Sequence, residues 1–362
     1  MSKTVKQLDQ KTALFKFVKM VAPGTEFREG LDNILKANTG AIIVLGDDED
    51  VMSLTAGGFS IDSEYSPAKL YELAKMDGAI VLSKDARRIV SANTQLEPDA
   101  NVGSDETGIR HRTAEKFAKQ TSRLVISISQ RRNIITLYYK NEKYVLKESS
   151  RVLIKANQAI QTLENYKKTL DKAMGDLEAM EFEDSATLYD VCKVLQRIEM
   201  MMKIVQEIES YILELGIEGR LISMQLQELT TDIKEDSENI IRDYAKKEVA
   251  EEPKMARKEI KKLDSEELWD LVNISKILGY ENIAGILDQS VEPYGYRILA
   301  KIPRLPNSVL EKLIEAFGSF QSLIEADTDQ LEEVDGIGEK RAKIIADKLM
   351  RLQERAMQNR TI

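Results

Sequence analysis

The chain has 362 residues, enough for about two or three domains, because single cores stop growing beyond roughly 250–300 residues. Apolar residues make up 43%, ample for real cores, and charged residues at 31% with aromatics at 6% point to a soluble, helix-rich protein. The net charge of −9 argues against a general polyanion binder, so any nucleic-acid contact must be local, and a single cysteine, Cys192, excludes internal disulfides and cysteine-cluster metal sites.

Met1 to Gln10 is polar and has no signal-peptide core. No apolar run approaches the about 18 residues of a membrane span. A cytoplasmic protein with no membrane partner is expected. Residues 11–21 predict an amphipathic helix broken by Pro23-Gly24-Thr25, and Thr25 caps a second helix through about Ala37. Ala41 to Leu45 is a continuous apolar run, read as a buried strand that ends in the turn Gly46-Asp47-Asp48. Val51 to Leu54 reads as the returning strand. Ser66-Pro67 opens a helix through about Met76. Asp77-Gly78 stops it, Ala79 to Ser83 is a second buried strand, and Lys84-Asp85 turns into a strand at Arg88 to Ala92.

A loop holding Pro98, Gly103 and Gly108 leads to Thr107-Gly108-Ile109-Arg110-His111-Arg112-Thr113. This is poor core material. Cationic or potentially cationic groups in a row repel one another unless an anion holds them. The helix-forming run from Ala114 to Lys119 follows, so the cluster is placed at a helix N-terminus, where free N–H groups and the dipole favour an anion. Two readings stand at this point: a phosphate site, or a solvated helix start with incidental charge. Leu124–Ser129, Ile134–Tyr138 and Tyr144–Lys147 predict three more strands, the last two a hairpin around Asn141. Several links are too short for crossovers, which favours a mixed sheet with helices packed on it.

From Ser149 the character changes. No proline occurs between Pro98 and Pro253, and apolar positions recur at helical spacing, such as Leu188, Val191, Leu195, Ile198 and Met202. Residues 150–175 and 185–250 predict long helices, with breaks at Glu181–Asp184 and Gly216–Gly219 and with Cys192 as a buried small hydrophobe. Glu248 to Lys262 reads as an exposed charged helix or linker. Trp269, in a helical stretch from Ser265 to Leu278, reads as a packing anchor.

The last part of the chain holds an imperfect repeat. Ile302-Pro303-Arg304-Leu305-Pro306 precedes a helix at Val309–Phe317, and Val334-Asp335-Gly336-Ile337-Gly338 precedes one at Arg341–Leu349. This resembles a tandem helix-hairpin-helix module of DNA repair and recombination proteins. In the second copy Gly336 and Gly338 allow a tight hairpin whose N–H groups grip a phosphate without reading sequence, and Lys340, Arg341 and Lys343 add charge beside it. In the first copy Arg304 and Pro306 replace the glycines, and proline has no N–H to donate. That copy is a structural partner or a weaker phosphate contact. A protein-binding helical module is the competing reading.

Asp77-Gly78-Ala79, paired with Arg110-His111-Arg112 in one α/β domain, resembles the signature of the diadenylate cyclase domain. With the long helical middle and the hairpin module, the whole chain resembles the DNA integrity scanning family of diadenylate cyclases. The resemblance implies an α+β/α multi-domain fold: a cyclase domain at 1–148 with a mixed sheet flanked by helices, a helical spine at 149–288, and a tandem helix-hairpin-helix at 289–362. It implies condensation of two ATP molecules into cyclic di-AMP with release of two pyrophosphates, across two facing cyclase domains of a homo-octamer. It further implies that Asp77 binds Mg²⁺ or Mn²⁺ and helps activate the 3′-hydroxyl, and that Gly78 sits against the nucleotide. Arg110, His111, Arg112 and Thr113 hold the phosphates, the backbone at Leu96 meets adenine, and Ser129 touches a phosphate. Gly336, Gly338, Lys340 and Arg341 contact branched DNA independently of sequence. Where the family often has Thr, this chain has Ile109. The alternative reading is a non-enzymatic DNA-junction binder that senses ATP.

Overall fold

The computed structural model describes Leu14 and residues 16–360, and the chain divides into two compact units. The first holds residues up to 158 together with 208–224, and the second holds 159–207 and 225–362. Residues 16–20 are helical, and the rest of the helix expected at 11–21 lies partly outside the described residues.

The first unit is built on an eight-stranded sheet. Its strands are β1 (Ala41–Leu45), β2 (Thr55–Ala56), β3 (Phe59–Glu64), β4 (Ala79–Leu82), β5 (Arg88–Leu96), β6 (Leu124–Ser129), β7 (Ile134–Tyr139) and β8 (Glu142–Val145), in the order β2-β5-β4-β1-β6-β7-β8 with β3 also on β5. Only β1 and β4 pair in parallel, so the sheet is mixed, as expected. Ala41 to Leu45 are all buried because both faces of the sheet are covered. On one face Ile43, Leu45, Ile80, Leu82, Ile126 and Leu137 pack with Leu31 and Ile34 of the helix Glu26–Lys36. On the other, Ile42, Val44, Val81, Val125 and Tyr138 pack with Ala114, Phe117 and Ala118 of the helix Ile109–Thr121.

Thr25 caps the first of these helices, its side chain accepting from the Arg28 N–H, and Ser66 caps Pro67–Leu73 in the same way. The strand expected at Val51–Leu54 is a correction. Glu49–Met52 is a short helix with Asp48 at its N-cap, and Val51 points into the core. Asp48 followed by Glu49-Asp50 is a helix-start pattern, and it prevails over the short apolar run. β3 escaped the sequence because its polar, half-exposed residues give no clear alternation.

After β8 the chain is helical: Ser149–Phe182 and Leu188–Leu215 are the long helices, followed by Arg220–Thr230, Ile233–Tyr244 and Pro253–Lys262, and residues 149–158 and 208–224 of this stretch belong to the first unit. Cys192 is buried, and burial pushes its thiol up to about 12. Trp269 is 68% exposed. The anchor is its neighbour Leu268, whose carbonyl accepts from Gln196. The short helix Tyr296–Ala300 is seated on the spine by buried charge. Asp243 accepts from the N–H groups of Gly295, Tyr296 and Arg297. The Arg297 guanidinium, fully buried, pairs with Glu181, which also accepts from Tyr244 at 2.6 Å.

Beyond it, Asn307–Phe317, Phe320–Glu325, Thr328–Glu332 and Glu339–Arg360 close around Leu313, Phe320, Ile337 and Ile345. The two hairpins share one backbone. Leu305 N–H bonds Ile302 and Ile337 N–H bonds Val334, while Val309 and Leu310 bond Pro306 as Arg341 and Ala342 bond Gly338. Gly336 has φ +93, and Arg304, at the equivalent place, has φ +63. The first hairpin therefore keeps the glycine-type conformation without the glycine.

Candidate active site

The registers place Gly40, Asp77 and Ser129 at one end of the sheet. Ile42 faces Ala79 across the parallel ladder, and Ala41 faces Ile128 across the antiparallel one. Thr94 faces Ala79, so Leu96 extends past the start of β4 at the same end. Gly78 has φ +96, and a Cβ there would lie 2.8 Å from the carbonyl carbon of Asn93. Only glycine fits this approach. Asn93, itself at φ +55, stands where the β4–β5 register shifts between Ala79 and Val81. A bulge thus presses against the turn that carries Asp77, whose side chain is fully exposed.

The helix Ile109–Thr121 begins at Gly108, which has no side chain to cap it, so the first-turn N–H groups of Ile109, Arg110 and His111 are left without a side-chain cap. The preceding loop is tied along the helix. Lys116 donates to Ala100, Lys119 to Gly103, Gln120 accepts from Asp99, and Glu115 accepts from Ser104 and Asp105. Burial opposes it, but the contacts with Lys119 and Ser104 hold the Glu115 carboxyl below the usual range.

Arg110 lies across Gly40, with its Nη2 3.8 Å from Asp77 Oδ1. Asp77, Gly78 and Arg110 therefore meet at one site. Arg112 and Ile109 are exposed beside them, and Thr113 is half-buried one residue on. Ser129 accepts from the Arg132 N–H and closes the β6–β7 turn. Leu96 is half-buried and pairs with Thr55. His111 is set apart from the two arginines: it is 7% exposed and bonds Tyr138. Sequence reasoning missed Gly40, Asn93, Tyr138 and Glu106. Gly40 stands at the mouth of a buried strand, which is a weak signal. Nothing in the sequence ties Glu106 to Tyr138.

At the other end of the chain, Ile302–Leu305 and Gly338–Arg341 line one cleft. Lys340 is exposed, and nothing lies within 4 Å of a Cβ built on Gly338. Arg341 folds back to donate to Gly336 O, and Lys343 pairs with Glu339 at 2.6 Å.

Three family models match the chain: the DisA bacterial checkpoint controller nucleotide-binding region at residues 28–143, its linker region at 146–286, and the SAM-like helix-hairpin-helix tandem at 296–351. The chain is 52% identical over 349 residues to the DNA integrity scanning protein DisA of Clostridium perfringens (strain SM101 / Type A), covering 96% of this chain and 98% of that one. It is 50% identical over 355 residues to the protein of the same name from Clostridioides difficile (strain 630), covering 98% and 99%. The chain belongs to the DNA integrity scanning family. It is a diadenylate cyclase that uses ATP, and it carries a helix-hairpin-helix DNA-binding module.

Two solved structures also align, each at 19% identity. They are the hypothetical membrane spanning protein from Bacillus cereus (34% of this chain, 62% of that one, TM-score 0.31) and a double mutant of DacA from Staphylococcus aureus (39% and 90%, TM-score 0.28). Among the described residues no helix is long and apolar enough to cross a membrane.

Proposed function

We propose that Asp77, Gly78, Arg110, His111, Arg112 and Thr113 form the half-site that holds one ATP, with Leu96 beside adenine and Ser129 near a phosphate. The observation that carries this reading is the exposed Asp77 carboxylate 3.8 Å from the Arg110 guanidinium, at one end of the sheet beside an uncapped helix N-terminus. The cations and first-turn amides hold the polyphosphate, and the carboxylate stands where the 3′-hydroxyl of the opposing nucleotide arrives. Each half-reaction forms a 3′-O–P bond at an α-phosphorus and releases pyrophosphate. Two such steps close the ring, and each needs a second cyclase domain, so a homo-octamer with paired cyclase domains is part of the proposal.

The donor set fits a divalent metal held chiefly by substrate. Among the described residues no cluster of three His, Cys, Asp or Glu side chains forms a metal cage. Asp77 is open and carries one carboxylate, which suits Mg²⁺ or Mn²⁺ completed by phosphate oxygens and water. When bound, the ion lowers the charge on the phosphates and favours the ionised 3′-hydroxyl. The protein's own part is positioning. Gly78 and the Asn93 bulge fix Asp77, and the loop tied to Glu115 fixes the helix start.

The proposal keeps the division into cyclase domain 1–148, spine 149–288 and hairpin module 289–362, and a cytoplasmic location. Gly336, Gly338, Lys340 and Arg341 grip branched DNA, and DNA bound there changes the cyclase rate. Incubation with ATP and Mn²⁺ should yield cyclic di-AMP, and Asp77→Asn should lower kcat by at least about 100-fold without changing the melting temperature. A wild-type protein that makes no such product, or an unaffected Asp77→Asn, overturns the reading.

A further inference from the structure

His111 is the single histidine of the chain. Its Nδ1 lies 2.9 Å from Tyr138 Oη, and Tyr138 Oη lies 2.8 Å from Glu106 Oε1. Lys143 pairs with the same carboxylate. Burial opposes it, but the bonds from Lys143 and Tyr138 hold the Glu106 carboxyl below its usual range. Glu106 is therefore an anion with no proton to give. The phenol of Tyr138 has one proton, and it goes to Glu106. The phenolic oxygen is left as an acceptor, and the group facing it is the ring nitrogen of His111. The order of the chain thus assigns the tautomer: the His111 proton sits on Nδ1.

Nε2 then carries a lone pair whenever the ring is neutral. Burial lowers the His111 pKa. Glu106 raises it in part, while Arg132 and Lys143 lower it further. The free enzyme therefore holds a neutral ring near pH 7. Nε2 is buried and has no hydrogen-bond partner among the described residues. The same edge of the ring faces the helix start, with Cδ2 3.8 Å from a Cβ built on Gly108. A buried nitrogen without a partner is a standing cost that a ligand can remove. A phosphate oxygen, however, has no proton to offer it. Contact with the polyphosphate requires the cation, with Nε2–H as the donor.

We infer that Glu106 and Tyr138 are positioning residues of the cyclase: they pin the Nδ1 proton of His111, and they let His111 take up a second proton, on Nε2, as the polyphosphate arrives. The inference rests on the reading of Arg110-His111-Arg112 as the phosphate site. The proton comes from solvent, and it leaves again with the released pyrophosphate. The phenol passes the charge of Glu106 to the ring through two hydrogen bonds. Burial, helped by Arg132 in the β6–β7 turn and Lys143 on β8, keeps the free ring neutral.

The single histidine makes this directly readable. Full-length protein labelled with ¹⁵N only at histidine reports one imidazole, and solid-state spectra do not depend on the size of the assembly. At pH 8 the free protein should show Nδ1–H with a bare Nε2. With a non-hydrolysable ATP analogue bound, both nitrogens should carry protons. Tyr138→Phe should release the tautomer and populate Nε2–H. Glu106→Gln should confine the second protonation to lower pH, moving the alkaline limb of kcat/KM for ATP down by about one unit, and Glu106→Asp should restore it. If Tyr138→Phe folds poorly, Glu106→Gln supplies the test. Nε2–H in the free wild-type protein, or an unchanged tautomer in Tyr138→Phe, overturns the positioning role. A bare Nε2 with the analogue bound overturns the donor role. The tautomer is read without nucleotide, so its failure is distinct from failure of the phosphate site.

Discussion

Gly40 precedes a buried strand and belongs to no motif, yet Arg110 rests on it. A Cβ at this position would fall on Nη1 of Arg110, 3.0 Å from its Cζ and 3.2 Å from the Ile128 carbonyl. The guanidinium is the movable end of a flexible side chain, so Gly40→Ala should displace it and leave the backbone in place. The stability change is small. Alanine restricts the unfolded chain and adds about 0.4–1 kcal/mol, which the close approach to Ile128 offsets. The melting temperature should stay within about 3 °C of wild type. Catalysis should suffer far more. A charge-assisted contact is worth about 1.5–3 kcal/mol, so kcat/KM for cyclic di-AMP formation should fall about 10- to 150-fold. Because the effect passes through Arg110, the double variant Gly40→Ala/Arg110→Ala should be no worse than Arg110→Ala alone. Wild-type kcat/KM in Gly40→Ala, or losses that add in the double variant, would refute the reasoning.

Other expectations concern separate parts of the chain. Ile109 is 78% exposed in the first turn, so Ile109→Thr should cost little stability and lower the KM for ATP by about 2- to 5-fold through an added hydroxyl contact; an unchanged KM counts against phosphate binding at this turn. Arg297→Met strips the cation from buried Glu181 and should destabilise the second unit by about 3–5 kcal/mol in urea titrations. Burial, then the neighbouring Glu181, pushes Asp243 up to about 7, and without Arg297 both carboxyls gain protons on folding. That raised-carboxyl contribution is present at low pH and lost as pH rises, so the deficit should be larger at pH 8 than at pH 5. Gly338→Pro removes an N–H from the second hairpin and should weaken binding of branched DNA several-fold in fluorescence anisotropy; wild-type affinity would show that this amide is not the grip.

The parts of the fold that were legible in the sequence are those where one local signal dominates. Ala41–Leu45 and Ala79–Leu82 are buried on both faces and read as unbroken apolar runs. Thr25 and Ser66 announce their helices by chemistry. Val51–Leu54 reads as a strand although Glu49–Met52 is helical, because a one-turn helix has too few residues for a period, and Trp269 reads as an anchor although it is exposed, because size alone does not decide burial. In the candidate site, Asp77 and Arg110 were found as a pair of motifs and do meet. The groups that orient them were not found. Asn93 acts through a bulge, Gly40 through the absence of a side chain, and Glu106 and Tyr138 through a contact between residues far apart in sequence. Each is defined by tertiary register rather than by any neighbour along the chain.

The two hairpins trace the same path, but one is faced with bare amides and the other with a long cationic side chain and a proline. A backbone with twofold likeness has thereby lost its surface symmetry. If both hairpins hold DNA as proposed, a duplex brought to the cleft would meet a rigid, shape-dependent grip at one hairpin and a flexible, salt-sensitive one at the other. Turning the duplex end for end would exchange the two. The module would then carry a polarity, and a junction with unequal arms would present it with a choice that a symmetric pair of glycine hairpins does not face.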